Sequence, residues 1–330
     1  MNLSFGYWQI PVEENSKSKT AFISKQGLFE FNSMPFGVCN GPATFQRAMD
    51  TILTEYRHQF ILVYLDDINI HSQTFEEHLE HLQKVFEKLH KVGLKLNPEK
   101  CNLFWNKLPF LGYIITAEGI SSDPSTVERV KNFFQPRTVK QLKSFLELAG
   151  YYRKFIKGFS QIASPLFKLL RNNITFVWTQ EQEKAFQELK HKLTSAPILI
   201  YPDFTRKFYL YTDASDNGLG AVLAQHDADG KERVIAYASV TLKPSEKNYS
   251  TTEKEALAVV WAVRQFRHYL LGTLFEVTTD HNALRWLFHK QSNPGPRIAR
   301  WIMEMTEYNF IVTYRSGKVN QNADALSRLN

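Results

Sequence analysis

Short apolar runs broken by turn residues open the chain. Lys19 to Phe31 predicts two short strands around Gln26-Gly27. Phe45, Met49, Ile52 and Leu53, spaced three and four apart, predict a helix over 41–56. Phe60 to Ile70 (FILVYLDDINI) is two apolar half-strands meeting at Asp66-Asp67, the pattern of a hairpin. Ile61, Val63 and Leu65 alternate with Leu62 and Tyr64, so both faces are apolar and a central place in a sheet is expected. An amphipathic helix follows over 74–92 and stops before Gly93, and Leu108 to Thr116 returns to strand character.

The pattern then turns helical, over 138–152, 162–170 and 181–193, the last opened by Thr179. Pro202-Asp203 marks a boundary, after which Lys207 to Asp213 alternates and strands are predicted near 221–225 and 234–239. A long helix over 252–271, a strand over 275–279, helices over 283–288 and 297–307, a strand over 310–315 and a helix from Asn322 complete the map. Three consecutive units are expected, 1–118, 119–204 and 205–330.

Composition narrows the class. Hydrophobic residues make up 43% of the 330, enough for packed cores, and no run of about 20 apolar residues could span a bilayer. Cys39 and Cys101 form no CxxC pair, so neither a disulfide framework nor a thiolate zinc site is supported. The expectation is an intracellular protein, cytoplasmic or nuclear, with no membrane partner. The net charge of +7 is concentrated in 121–200, where 13 basic side chains face 6 acidic ones. A basic helical segment can follow a phosphate backbone, or be a solvated surface. Lys140, Lys143, Arg153, Lys154 and Lys157 are the candidate contacts.

Adjacent carboxylates at a hairpin tip repel unless a cation lies between them, and Mg²⁺ prefers such oxygen ligands. An exposed Asp-Asp turn is the plainer alternative. The surrounding motifs decide how the pair is read. Tyr64-Leu65-Asp66-Asp67, with Gly6-Tyr7-Trp8-Gln9-Ile10, Met34-Pro35-Phe36-Gly37 and Gly41-Pro42-Ala43-Thr44-Phe45-Gln46 before it and Gly93 to Cys101 and Phe110 to Tyr113 after it, resembles the reverse transcriptases of gypsy-like long-terminal-repeat retrotransposons. The resemblance covers essentially the whole chain. It implies that Asp66 and Asp67 bind catalytic Mg²⁺, that Tyr7 lies under the sugar of the incoming nucleotide, and that Phe36 and Gly37 face the nascent base pair. Without it, Tyr7 and Phe36 read as core aromatics. A third carboxylate is expected five positions before Tyr7, where this chain has Asn2. An amide brings no charge, so impaired polymerisation is expected, the more so as most of the fingers that precede this point in the family are expected to be missing.

Four further acids sit at element ends: Asp213 and Asp280 after strands, Glu255 early in the long helix, and Asp324 at the start of the last one. Each has a local alternative, Glu255 as the capping-box partner of Thr252 and Asp324 as a favourable helix N-terminal charge. Together, in Asp213-Ala214-Ser215, Tyr249 to Ala258, Thr279-Asp280-His281 and Ala323 to Arg328, they resemble the Asp-Glu-Asp-Asp quartet of ribonuclease H. His281 is a lesser candidate for proton transfer.

The resemblance implies an α/β fold: an α+β palm, a helical thumb and connection, and a ribonuclease H-like domain on a mixed five-stranded sheet. It further implies Mg²⁺, with Mn²⁺ as a possible substitute, and RNA–DNA hybrid or primer–template as partner. The activity implied is two-metal cleavage of the RNA strand, one ion stabilising the attacking water and the other the leaving 3′ oxygen. A non-catalytic nucleic-acid-binding remnant is the alternative.

Overall fold

The computed structural model describes residues 1–287 and 295–315. It has a mixed α/β architecture in two compact units, Met1–Asn106 and Lys107–Asn330.

The first unit opens with a small hairpin, β1 (Phe22–Ser24) and β2 (Gly27–Phe29), then a helix at Gly41–Ile52 with Pro42 in its first turn. The helix is shorter than its apolar pattern, because the chain turns at Leu53, where Tyr56 N–H bonds the Leu53 carbonyl. Strands β3 (Ile61–Tyr64) and β4 (Asp67–Ile70) form the expected antiparallel hairpin. Its expected central position is not observed. The two strands form a two-stranded sheet, and Leu62 and Tyr64 are exposed while Ile61 and Ile68 are buried. Apolar residues on both faces therefore did not mean burial on both faces. The helix Phe75–Lys91 carries its own boundary signals: Thr74 accepts from Glu77 N–H, Glu76 and Glu77 lie in the first turn, and Lys88 and Lys91 in the last. Its buried stripe is Leu82, Val85 and Leu89, at the spacing that puts side chains on one face.

The second unit begins with a meander, β5 (Lys107–Phe110), β6 (Tyr113–Thr116) and β7 (Gly119–Ser122). The single strand expected over 108–116 is thus two, because Leu111 and Gly112 both take positive φ, as a tight hairpin turn requires. The 118/119 boundary drawn from the sequence runs through the β6–β7 turn. Four helices follow: Pro124–Lys131, not anticipated, Val139–Tyr151, Phe159–Lys168 and Gln180–Thr194. Their core gathers Phe145, Tyr152, Phe155, Phe159, Leu166, Phe186 and Leu189.

A five-stranded sheet completes the unit: β8 (Phe208–Ala214), β9 (Gly218–His226), β10 (Glu232–Thr241), β11 (Leu274–Thr279) and β12 (Asn309–Tyr314), in the order 10-9-8-11-12. The β8–β9–β10 pairings are antiparallel, and those of β11 with β8 and β12 are parallel, so the sheet is mixed as expected. The helix Thr251–Gln265 lies on it with Ala256, Val259, Val260 and Val263 in the core. This helix stops at Phe266 rather than 271, and a separate turn, Arg267–Leu270, follows. The helix at 283 is described as Ala283–Leu287, and the helix expected from Asn322 lies outside the described residues.

Candidate active sites

Asp66 occupies the turn between β3 and β4, next to Leu65, whose φ is +52°. The turn is braced from the neighbouring helix. Gln46 Oε1 accepts the Leu65 N–H at 2.7 Å, and its Nε2 donates to Asp50 at 2.9 Å and to the Val63 carbonyl at 3.3 Å. Asn2 does lie beside the pair: it bridges to Asp67, and its Nδ2 donates to Asp67 Oδ1 at 2.7 Å. Asn2 Oδ1 is buried with no hydrogen-bond partner. Gly6 is sterically required, since a Cβ there would stand 2.8 Å from the Phe45 ring and 3.4 Å from Asp66 Cβ.

A cavity of about 400 Å³ opens beside Asp66 and is lined by Asn2, Phe5, Tyr7, Phe36, Asn97 and Lys100. Tyr7 stacks on Phe36, with ring centroids 5.3 Å apart, and its other neighbour is Phe45 at 5.1 Å. Phe36 is 65% exposed, which ends its reading as a core aromatic. Gly37 follows at φ +92°, in the left-handed region that favours glycine. Gln46 and Lys100 were legible only as members of a sequence pattern, with no role attached.

In the second unit, Asp213 is the residue before the last of β8 and Asp280 follows β11. These strands are parallel neighbours, with Phe208 opposite Phe275 and Tyr211 opposite Thr278. Continuing that register brings Asp280 level with Asp213, both at the carboxyl end of the strands. Glu255 reaches them from the helix, and the three offer oxygen atoms all within 4.8 Å of one another. Ser250 caps this helix in a capping box with Glu253, so the capping role considered for Glu255 belongs to other residues. The Glu255 carboxyl is pushed up to about 8 by burial, then by Asp213 and Asp280, against a bond from the Ala214 N–H. Its Oε2 is buried with no hydrogen-bond partner. Three mutually repelling acids around an unsatisfied oxygen fit a divalent cation, which would supply both the charge and the missing partner. Asp324, the fourth acid expected here, lies outside the described residues. His281 Nε2 and Thr252 Oγ1 are 2.9 Å apart.

Residues 1–115 match the reverse transcriptase (RNA-dependent DNA polymerase) family, and residues 178–277 match the RNase H-like domain found in reverse transcriptase. Over its full length the chain is 45% identical to the retrovirus-related Pol polyprotein from transposon 297 of Drosophila melanogaster and covers 31% of it. It is likewise 37% identical to the transposon Tf2-3 polyprotein of Schizosaccharomyces pombe, covering 25%. The chain belongs to the gypsy-like retrotransposon Pol family. It spans under a third of the length of these relatives. Among solved structures, it superposes on the foamy viral protease-reverse transcriptase in complex with RNA/DNA hybrid with a TM-score of 0.82 and 26% identity, covering all of this chain and 44% of that one. For the dsDNA complex of the same viral protein the values are 0.84 and 27%, covering 96% and 67%. Domains of these two families generally depend on divalent metals.

In this Pol segment the basic candidates divide. Lys140 and Lys143 are exposed on the helix Val139–Tyr151. Arg153 is exposed too but donates to the Ser239 carbonyl at 2.6 Å, and Lys154 Nζ stands 3.9 Å over the Tyr113 ring, where burial lowers its pKa. Lys157 is half-buried. No helix among the described residues is long and apolar enough to cross a membrane. His78 and His81 share Ser72 Oγ at 3.0 and 2.8 Å, and His81 stacks on Phe60, so packing and hydrogen bonding account for both without a metal.

Proposed function

We propose that this Pol segment cleaves the RNA strand of RNA–DNA hybrids through the cluster Asp213, Glu255 and Asp280, with Asp324 as a fourth ligand, and that its polymerase site at Asp66 and Asp67 is impaired. The observation that carries the reading is the convergence of three carboxylates from two strand ends and a helix on one point. Mg²⁺, or Mn²⁺ in its place, would supply there the charge that activates water and offsets the negative phosphodiester. Asp213 lies in β8 and Asp280 directly after β11, so neighbouring parallel strands place both. Glu255 must give up the proton that its buried position favours in the metal-free protein.

At the other site Asn2 favours the impaired reading. Its amide donates to an Asp67 oxygen that a cation would otherwise use, and it contributes no charge. Tyr7, Phe36 and Gly37 would still form the wall of a nucleotide pocket beside Asp66. We assign 1–118 to a palm, 119–204 to a basic thumb and connection that holds the duplex, with Lys140 and Lys143 as its outward charges, and 205–330 to the hydrolytic domain. The viral relative's hybrid complex supports that choice of substrate. The test is cleavage of a labelled hybrid by the full chain with Mg²⁺, in parallel with dNTP incorporation on a primed RNA template. Hydrolysis abolished by chelator and by Asp213→Asn, with no primer extension, is expected. Hydrolysis that survives Asp213→Asn would overturn the hydrolytic reading, and robust extension would overturn the polymerase one.

A further inference from the structure

Ser239 lies on edge strand β10 and is 1% exposed, yet it is a crossing point for the helical segment. Its Oγ accepts the Ser160 N–H at 2.9 Å, while its carbonyl accepts Ser160 Oγ at 2.7 Å and the Arg153 guanidinium at 2.6 Å. Across the sheet, Ser239 pairs with Gly220, and Gly220 pairs with Asp213. The same row, continued through the β8–β11 register, reaches Asp280. One rung of paired residues therefore runs from the helical segment, through the edge strand, to Asp213, and Asp280 stands level with it just past the end of β11.

A second tie reaches the adjacent rung. Gln161 Nε2 donates to the Leu219 carbonyl at 3.4 Å, and Leu219 pairs with Ala214, the residue after Asp213. Gly218 closes the β8–β9 turn by accepting from both the N–H and the Oγ of Ser215. It also leaves room for Gln161: a Cβ at 218 would stand 3.1 Å from Gln161 Nε2 and 2.7 Å from the Val240 carbonyl. Arg153, Ser160 and Gln161 all precede the expected 204/205 boundary, so they belong to the basic segment rather than to the sheet they hold.

We propose that Arg153 and Ser160, acting through Ser239, and Gln161, acting through Leu219, are positioning residues that hold Asp213 and Asp280 in the geometry a divalent cation requires. Arg153 then serves the cleavage site instead of a phosphate. Groups bonded directly to metal ligands typically matter about 10- to 100-fold in metal affinity or activity; Arg153 and Ser160 act from two strands away and Gln161 from one, so the lower end of that range is expected. The inference rests on the hydrolytic reading, but its first test needs no catalysis.

Mn²⁺ alone is titrated calorimetrically into the full chain and into the Arg153→Ala/Ser160→Ala double variant, with Ser160→Thr as the variant that keeps a hydroxyl. Binding about tenfold weaker in the double variant is expected, with wild-type affinity in Ser160→Thr. The Mg²⁺ concentration for half-maximal hybrid cleavage should rise in parallel while the hybrid KM stays near wild type. A folded double variant with wild-type Mn²⁺ affinity and Mg²⁺ requirement would overturn the proposal. If the double variant does not fold, Ser160→Ala and Gln161→Ala are measured singly: weaker Mn²⁺ binding supports the proposal, and wild-type affinity in both overturns it. A wild-type chain that binds Mn²⁺ but cuts no hybrid would fail the hydrolytic reading while leaving the titration to decide this one.

Discussion

Asp66 and Asp67 are neighbours in sequence and need only a hairpin turn to stay together, whereas Asp213, Glu255 and Asp280 come from two strand ends and a helix. The first pair has an amide beside it, and that amide already bonds one of the two carboxylates. Among the described residues the second group brings three acids together, and one of them is held well above the usual carboxylate range by burial and by its partners. Each site holds a buried oxygen with no hydrogen-bond partner, Asn2 Oδ1 at the first and Glu255 Oε2 at the second. At the first a neutral side chain already bonds one carboxylate, whereas at the second burial and two neighbouring acids oppose the ionisation of Glu255. The contrast separates a pair hydrogen-bonded within the protein from a cluster whose repulsion a bound cation would relieve.

The sharpest break of this comparison is catalytic. Asp213→Asn should reduce hybrid cleavage by orders of magnitude with little change in hybrid affinity, read by single-turnover assays and competition binding. Asp66→Asn in the same assays should leave cleavage near wild type. Equal losses from the two substitutions would erase the distinction.

Stability comes next. Glu255→Gln removes a charge that the fold resists, so in chelator the variant should be more stable than wild type by on the order of 2 kcal/mol at pH 8, measured by denaturant titration. The sign follows from the raised pKa. Between the ordinary value of 4.5 and about 8 the folded protein holds more protons than the unfolded chain. Wild-type stability in chelator should therefore fall as pH rises through that window, and the variant's should fall less. A variant less stable than wild type at pH 8 would mean that the acids do not repel in the fold.

Asn2→Asp converts the first site toward the second. Losing the Asn2–Asp67 bond should cost on the order of 1 to 2 kcal/mol in chelator, and added Mg²⁺ should restore part of it. Unchanged melting in chelator would show that the bond carries no weight. The smallest effect concerns the basic helices. Lys140→Ala with Lys143→Ala should flatten the slope of log K against log salt for hybrid binding by up to about two units, at roughly 0.9 per phosphate. Lys154→Ala should change that slope little and lower stability instead, because its ammonium lies on the Tyr113 ring.

Much of this is readable in the chain itself. The caps Thr74 and Thr179, the apolar spacing of the helices they open, and the hairpin around Asp66 and Asp67 act over a few residues, and the structure keeps them. The acids Asp213, Glu255 and Asp280 are legible as strand-end and helix-start carboxylates for the same reason. What the chain does not display locally is which distant backbone meets which. The helix Pro124–Lys131 did carry a local signal, the Asp123 cap with Pro124 at its first position, but only two valines behind it, and the Leu111-Gly112 turn hides inside a continuous apolar stretch. Gln46 braces a turn formed well beyond it in the chain, and Arg153, though exposed, reaches the Ser239 carbonyl. Residue type and spacing thus determined the elements and the acids they carry. Only tertiary structure decided that Ser239, Gly220 and Asp213 share a row, because register between strands is set by packing across the whole sheet and not by any one strand.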